Sequence, residues 1–170
     1  RPGGNATGLT VLSEELNGKR LELLRDASPT ITRVGVFSNP ANPTQPLEWK
    51  AIQAAAVALG LKLQSLNVHG ADLDVAFEAA LKQRAQALIN LPEAVFTMNR
   101  KRITEFATKN KLPAMCSADP QAVAGGCLLS YGPNQLDLYR RGATYVENIL
   151  KGAKPADLPV EQPSKFEFVI

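Results

Sequence analysis

The chain has 170 residues, 45% of them apolar and 21% charged, with 19 basic and 16 acidic side chains giving a net charge of +3. That length suits one domain with its own core, and no run approaches the roughly 20 apolar residues of a membrane-spanning helix. The basic residues are scattered, with short clusters at Arg100-Lys101-Arg102 and Arg140-Arg141, both inside helical patterns. This argues against nucleic acid as a partner, because phosphate tracking needs a basic stripe.

In chain order, Gly4-Asn5-Ala6-Thr7-Gly8 enters an extended run, and Ser13 caps a helix with Glu14 and Glu15 in its first turn. Val34-Gly35-Val36-Phe37 is the first clear strand, stopped by Ser38-Asn39-Pro40. A helix opens near Pro46, places Ile52, Ala55, Ala56 and Leu59 at helical spacing and ends at Gly60. A second strand covers Leu63 to Val68, after which Asp72 caps a helix striped by Leu73, Ala76, Phe77, Ala80 and Leu81.

Ala87 to Leu91 is a short buried-type strand ended by Pro92, and Thr97 or Asn99 caps the next helix, with Ile103, Phe106 and Ala107 inward. Ala114-Met115-Cys116 makes the fourth strand and Cys127 to Tyr131 the fifth. Gln135 to Leu150 is a helix striped by Leu136, Tyr139, Ala143, Val146 and Leu150, closed by Gly152. Three prolines hold Lys154 to Pro163 extended before Phe166 to Ile170 starts a last strand.

Strand starts near Arg33, Lys62, Ala87 and Ala114 recur roughly every 25 to 30 residues, the length of a βαβ unit. The expected fold is therefore α/β, a doubly wound, flavodoxin-like parallel sheet with helices on both faces. A start without Met and an end inside a strand lead us to expect part of a longer chain, whose opening sheet or partner lobe lies elsewhere.

The sequence carries no GxSxG elbow, Walker A loop, strand-linked GxGxxG or HExxH, so no enzyme is expected, and no cofactor or metal. His69, the only histidine, stands at a strand end with no nucleophile near it in sequence, and reads as a loop-end residue. The Asn5-Ala6-Thr7 sequon reads as part of a glycine-rich connector. Cys116 and Cys127 lack metal-ligand spacing; they are buried strand residues or, in an oxidising compartment, a bridge between neighbouring strands.

Open parallel sheets bind ligands in the crevice outside the carboxyl ends of their strands. Those ends are Ser38-Asn39-Pro40-Ala41-Asn42-Pro43, Pro92-Glu93-Ala94-Val95-Phe96-Thr97, Ser117-Ala118-Asp119-Pro120 and Tyr131-Gly132-Pro133-Asn134. The first is the most site-like, since its prolines leave little backbone freedom to lose on binding. Each loop has a plain structural reading as well: Asx turns at Asn39 and Asn42, a helix cap at Asp119, a core position for Phe96.

The segments Gly3 to Gly8, Gly18 to Leu24, Asn39 to Pro43, Ser130 to Asn134 and Ile149 to Pro155 resemble the tryptophan/tyrosine-type ABC-transporter substrate-binding proteins over essentially the whole chain. The resemblance implies a periplasmic binding protein type I-like plan of two lobes joined by three crossovers. Residues 1–12 would be the first crossover and residues 13–130 the ligand-binding lobe. Residues 131–153 would hold a helix packing on the other lobe, and residues 154–170 a proline-rich connector and return strand.

The same resemblance implies a periplasmic or other extracytoplasmic binder handing a small amino-acid-like solute to an ABC permease and ATPase. For such a ligand Glu93 or Asp119 would meet an ammonium group, Ser38, Asn39 and Asn42 would supply hydrogen bonds, and Phe96 or Tyr131 an apolar wall, with Thr97 and Ser117 as further candidate binding residues. The alternative is the ligand-sensing domain of a transcriptional regulator or receptor. A helix stripe left bare at residues 135–150 would invite self-association.

Overall fold

The computed structural model describes residues 3–70, 72–117 and 123–170. Among them the chain runs α1 (Ser13–Ala27), β1 (Arg33–Ser38), α2 (Gln45–Ala58), β2 (Lys62–Asn67), α3 (Asp74–Lys82) and β3 (Ala87–Asn90). It continues through α4 (Ala94–Met98), α5 (Arg100–Lys109), β4 (Ala114–Ser117), β5 (Leu129–Pro133), α6 (Gln135–Leu150), a 3-10 turn at Pro155–Asp157 and β6 (Phe166–Val169). The strands lie in the order β2-β1-β3-β4-β5-β6, and β1 to β5 pair in parallel, with Val34 set between Leu63 and Ala87. The expected doubly wound parallel sheet is what forms.

Successive strand side chains point to opposite faces, and the core divides accordingly. Val34 and Val36 of β1, Ala87 and Ile89 of β3 and Met115 of β4 pack with Leu21 and Leu24 of α1 and Ile52 and Ala56 of α2. Phe37, Leu88, Ala114 and Cys116 pack on the other side with Ala76, Ala80, Phe96, Ile103 and Ala107 of α3 to α5. Burying each large aliphatic side chain contributes about 1.5–3 kcal/mol. Gly35 fits this packing closely, since a Cβ there would lie 2.7 Å from Leu66 Cδ1 and that side chain would have to shift.

Four helices end in the same way. The residue after the cap turns left-handed, and the next amide reaches back to the carbonyl five residues earlier: Leu61 to Ala56, Ala85 to Ala80, Leu112 to Ala107 and Ala153 to Asn148. Glycine takes the left-handed position at Gly60 and Gly152, whereas Arg84 and Lys111 take it with φ near +55° (55° and 54°).

Several expected boundaries shift. Asp72 is not the cap residue of α3; Leu73 is, and Asp72, one residue before it, accepts the amide of Asp74, the first residue of the helix, at 3.0 Å. Neither Thr97 nor Asn99 caps by its side chain: a short α4 precedes α5, and the Asn99 amide group donates to the Val95 carbonyl at 2.9 Å. Cys127 lies just before β5, bonded to Cys116 of β4, so the bridge alternative is the one realised.

The chain divides into two compact units, Ser13–Tyr131 with Phe168–Ile170 and Arg1–Leu12 with Gly132–Glu167. In the second, Leu9 bridges Glu161, the Thr7 hydroxyl donates to the Leu158 carbonyl at 3.0 Å, and Tyr145 donates to the Pro159 carbonyl at 2.7 Å. Arg141 pairs with Glu161 and, mainly through that hydrogen bond, holds the carboxyl below its usual range. Asn134 caps α6 by accepting the Asp137 amide at 2.7 Å. Leu138 is buried, while Leu136, Tyr139, Ala143, Val146 and Leu150 are exposed. Among the described residues no helix is long and apolar enough to cross a membrane.

Candidate functional site

From β1 the chain steps outward to β2 and then returns to the other side of β1 as β3. At such a reversal the loops leaving the carboxyl ends part and open a crevice. β1 ends in Ser38, which is 6% exposed and whose hydroxyl donates to Asn67 Oδ1 at 3.1 Å.

The loop that follows is internally braced. Asn39 Oδ1 accepts the Ala41 amide at 3.1 Å, and Asn42 Oδ1 accepts the Thr44 amide at 3.0 Å and its hydroxyl at 2.9 Å. These are the Asx turns that the plain reading expects. Asn42 does more, because its Nδ2 donates to the carboxylate of Glu93 in the loop after β3. Residues 51 positions apart thus meet across the reversal.

The remaining expected residues distribute unevenly. Phe96 is 2% exposed, its ring 6.1 Å from that of Phe37, so it is a core residue and supplies no wall to the strand edge. Thr97 sits on α4, exposed, with its hydroxyl 3.5 Å from the Glu93 carbonyl. Tyr131 stands half-buried on β5, edge-on to Phe168 with ring centroids 6.3 Å apart. Ser117 pairs in register with Tyr131 through the backbone; its side chain, like the whole of Asp119, lies outside the described residues.

Behind the loops lies a set of buried polar side chains that no sequence motif singles out. Arg20 of α1 donates through Nε to the Tyr131 carbonyl at 2.8 Å and through a terminal nitrogen to Asn17 Oδ1 at 3.0 Å. Asn17 Nδ2 is buried without a hydrogen-bond partner. Gln45 of α2 accepts the Asn39 amide at 3.2 Å and donates to Glu48 at 3.2 Å.

Burial raises the Glu48 carboxyl to about 7, with the nearby Arg20 charge opposing the rise and Glu14 and Glu93 adding to it. Burial also lowers Arg20, to about 10, which leaves it cationic at neutral pH. The sequence does hold a signal for this set: Asn17, Arg20, Leu21 and Leu24 share one helical stripe, as do Gln45, Glu48, Ile52 and Ala56. Polar residues inside an apolar stripe mark positions facing the interior.

Beside the crevice, a cleft of about 390 Å³ is lined by Ser38, Pro40, Gln45, Pro46, Trp49, Ser65 and Asn67. Its lining combines indole and pyrrolidine rings with hydroxyl and amide groups, which suits a small molecule with both apolar and polar parts. Among the described residues no three His, Cys, Asp or Glu side chains stand together as metal ligands would.

The chain as a whole matches a known family. The model of the ABC transporter substrate binding protein family matches residues 1–170. No curated protein matches the sequence. A conserved domain protein from Vibrio cholerae superposes with a TM-score of 0.89 at 24% identity, over 99% of this chain and 56% of that one. The ABC domain of a Streptococcus pneumoniae protein in complex with L-Trp gives 0.82 at 22% identity, over 100% and 58%.

A periplasmic-binding-type ribose operon repressor from Lactobacillus acidophilus gives 0.73 at 12% identity, over 98% and 63%. The chain thus spans somewhat over half the length of these neighbours and shares the type I periplasmic binding protein-like fold with them. From the match along its whole length, the chain belongs to the ABC transporter substrate-binding protein family, whose members bind solutes and are not enzymes.

Proposed function

We propose that this chain forms one face of a two-lobed site for a small amino-acid-like solute, which an extracytoplasmic ABC import system takes up through its permease and ATPase. Residues 13–130 are the ligand-binding lobe, residues 1–12 and 154–170 carry crossovers, and the helix within residues 131–153 packs on the other lobe. The observation that carries this reading is the meeting of Asn42 and Glu93 at the reversal between β1 and β3. An amide and a carboxylate held at a crevice suit a ligand with an ammonium group.

Ser38 and Asn39 add hydrogen-bonding groups on the same edge, Thr97, Ser117 and Asp119 follow the neighbouring strands, and Tyr131 offers an aromatic side. Two further points support the reading. A structural neighbour is in complex with L-Trp. The Cys116–Cys127 bridge also suits an oxidising compartment, where disulfides persist.

Calorimetry with L-tryptophan on the two-lobed protein tests the proposal. Asn39→Ala and Asp119→Ala are each expected to weaken binding about tenfold, near 1.4 kcal/mol. Unchanged affinity in both variants would sink the assignment. Ligand sensing by a regulator is the second reading, favoured by the likeness to the ribose operon repressor. Loss of labelled-solute uptake on deletion, with no change in transcription, would separate transport from sensing.

A further inference from the structure

The Asn39–Asn42 loop is held from below as well as from within. Its first amide, Asn39 N–H, is directed to Gln45 Oε1 at 3.2 Å, and the other end of the same side-chain amide donates to Glu48 Oε2 at 3.2 Å. Both side chains are 4% exposed, so little water competes for these bonds. A side-chain amide presents a donor and an acceptor at opposite corners, and fixing one corner decides what the other offers.

We propose that Glu48 is a positioning residue for the candidate ligand loop: as a carboxylate it takes the Gln45 amide hydrogens, turns the Gln45 carbonyl toward Asn39 N–H, and so fixes the loop that carries Asn39 and Asn42. A protonated Glu48 instead offers an O–H that the Gln45 oxygen can accept. That competes with the Asn39 amide and frees the loop. The charged acceptor makes the stronger bond, so the loop is better held when Glu48 is ionised.

The groups around Glu48 place this change at a usable pH. Arg20 from α1 favours the carboxylate, Glu14 from the start of α1 and Glu93 from the loop after β3 disfavour it, and with burial they bring the carboxyl to about 7. Glu93 is also the partner of Asn42, so both ends of the loop answer to the same pocket of charge. The consequence, resting on the ligand-loop reading above, is a solute affinity that rises as pH passes upward through neutrality.

The test begins without ligand. In nitrogen-15 spectra of the chain, the Asn39 amide is expected to titrate with a midpoint near pH 7, and Glu48→Gln to abolish that titration while the rest of the spectrum persists. Gln45→Leu, which removes both bonds, is expected to move the Asn39 resonance and leave it insensitive to pH. An Asn39 amide that titrates equally in Glu48→Gln overturns the proposal, as does one unmoved by Gln45→Leu.

With L-tryptophan as the probe of the two-lobed protein, affinity is expected to be several-fold higher at pH 8 than at pH 6 in the parent and level in Glu48→Gln. If L-tryptophan fails to bind while the Asn39 titration behaves as described, the positioning role stands and the ligand reading falls.

Discussion

Glu48 has a second effect, on stability. Folding raises its carboxyl from 4.5 to about 7, so between those values the folded chain holds a proton that the unfolded chain has released. Stability contributed by this group is therefore greatest below about pH 4.5, declines as pH rises to 7 and stays lower above. The full difference is on the order of 3 kcal/mol. Glu48→Gln removes the titration, so its denaturant-unfolding free energy is expected to fall less between pH 5 and pH 8 than that of the parent. The slope is the diagnostic quantity, because the variant also deprives buried Arg20 of a counter-charge. An identical slope in both proteins would place the buried carboxylate cost elsewhere.

At the scale of elements, the helix ends show what a sequence does and does not announce. Gly60 and Gly152 mark the ends of α2 and α6 because glycine accepts a left-handed backbone freely, and both can be read from residue type alone. Arg84 and Lys111 close α3 and α5 in the same conformation, yet nothing in their chemistry signals it. A side chain in that region costs about 1–2 kcal/mol, partly recovered here by the reduced freedom of the unfolded chain relative to glycine. Lys111→Gly is accordingly expected to stabilise the chain by about 0.5–1 kcal/mol, read from the urea midpoint. A destabilised variant would show that the lysine stem packs favourably enough to offset its backbone strain. The same contrast holds for the site. The position of Asn39, Asn42 and Glu93 at the carboxyl edge of the sheet was legible, because a polar residue after an apolar strand end stands there by topology alone. Arg20 and Glu48 were not, since a charge on a helix normally faces water and only their place within apolar stripes betrays them. Phe96 was open to two readings, a wall of the site or a core position, because it follows a strand end closely; α4 turns it back into the core.

For the whole molecule, the stripe on α6 is the feature that folding of these 170 residues leaves open. Tyr139 is 74% exposed, Leu150 83% and Leu136 66%, and with Ala143 and Val146 they recur at alternating three- and four-residue spacing. That spacing is the seam by which helices pack side by side. Polar residues flank it and Leu138 faces inward, so the stripe is a surface of the helix and not part of its own core. Removing its apolar area from water is worth about 25 cal/mol per Å², a gain available to the chain alone only through another copy. We therefore expect the 170-residue chain to self-associate through α6, weakly, with a dissociation constant of about 10–100 µM for so small a contact. Light scattering across that range should show a mass rising with concentration, and Leu136→Glu with Val146→Glu should return it to the monomer without loss of helical circular dichroism. A monomer throughout would mean that the stripe stays wetted in solution, while association that survives the double variant would move the contact elsewhere. Either outcome would remove the α6 stripe as a surface through which copies of this chain associate.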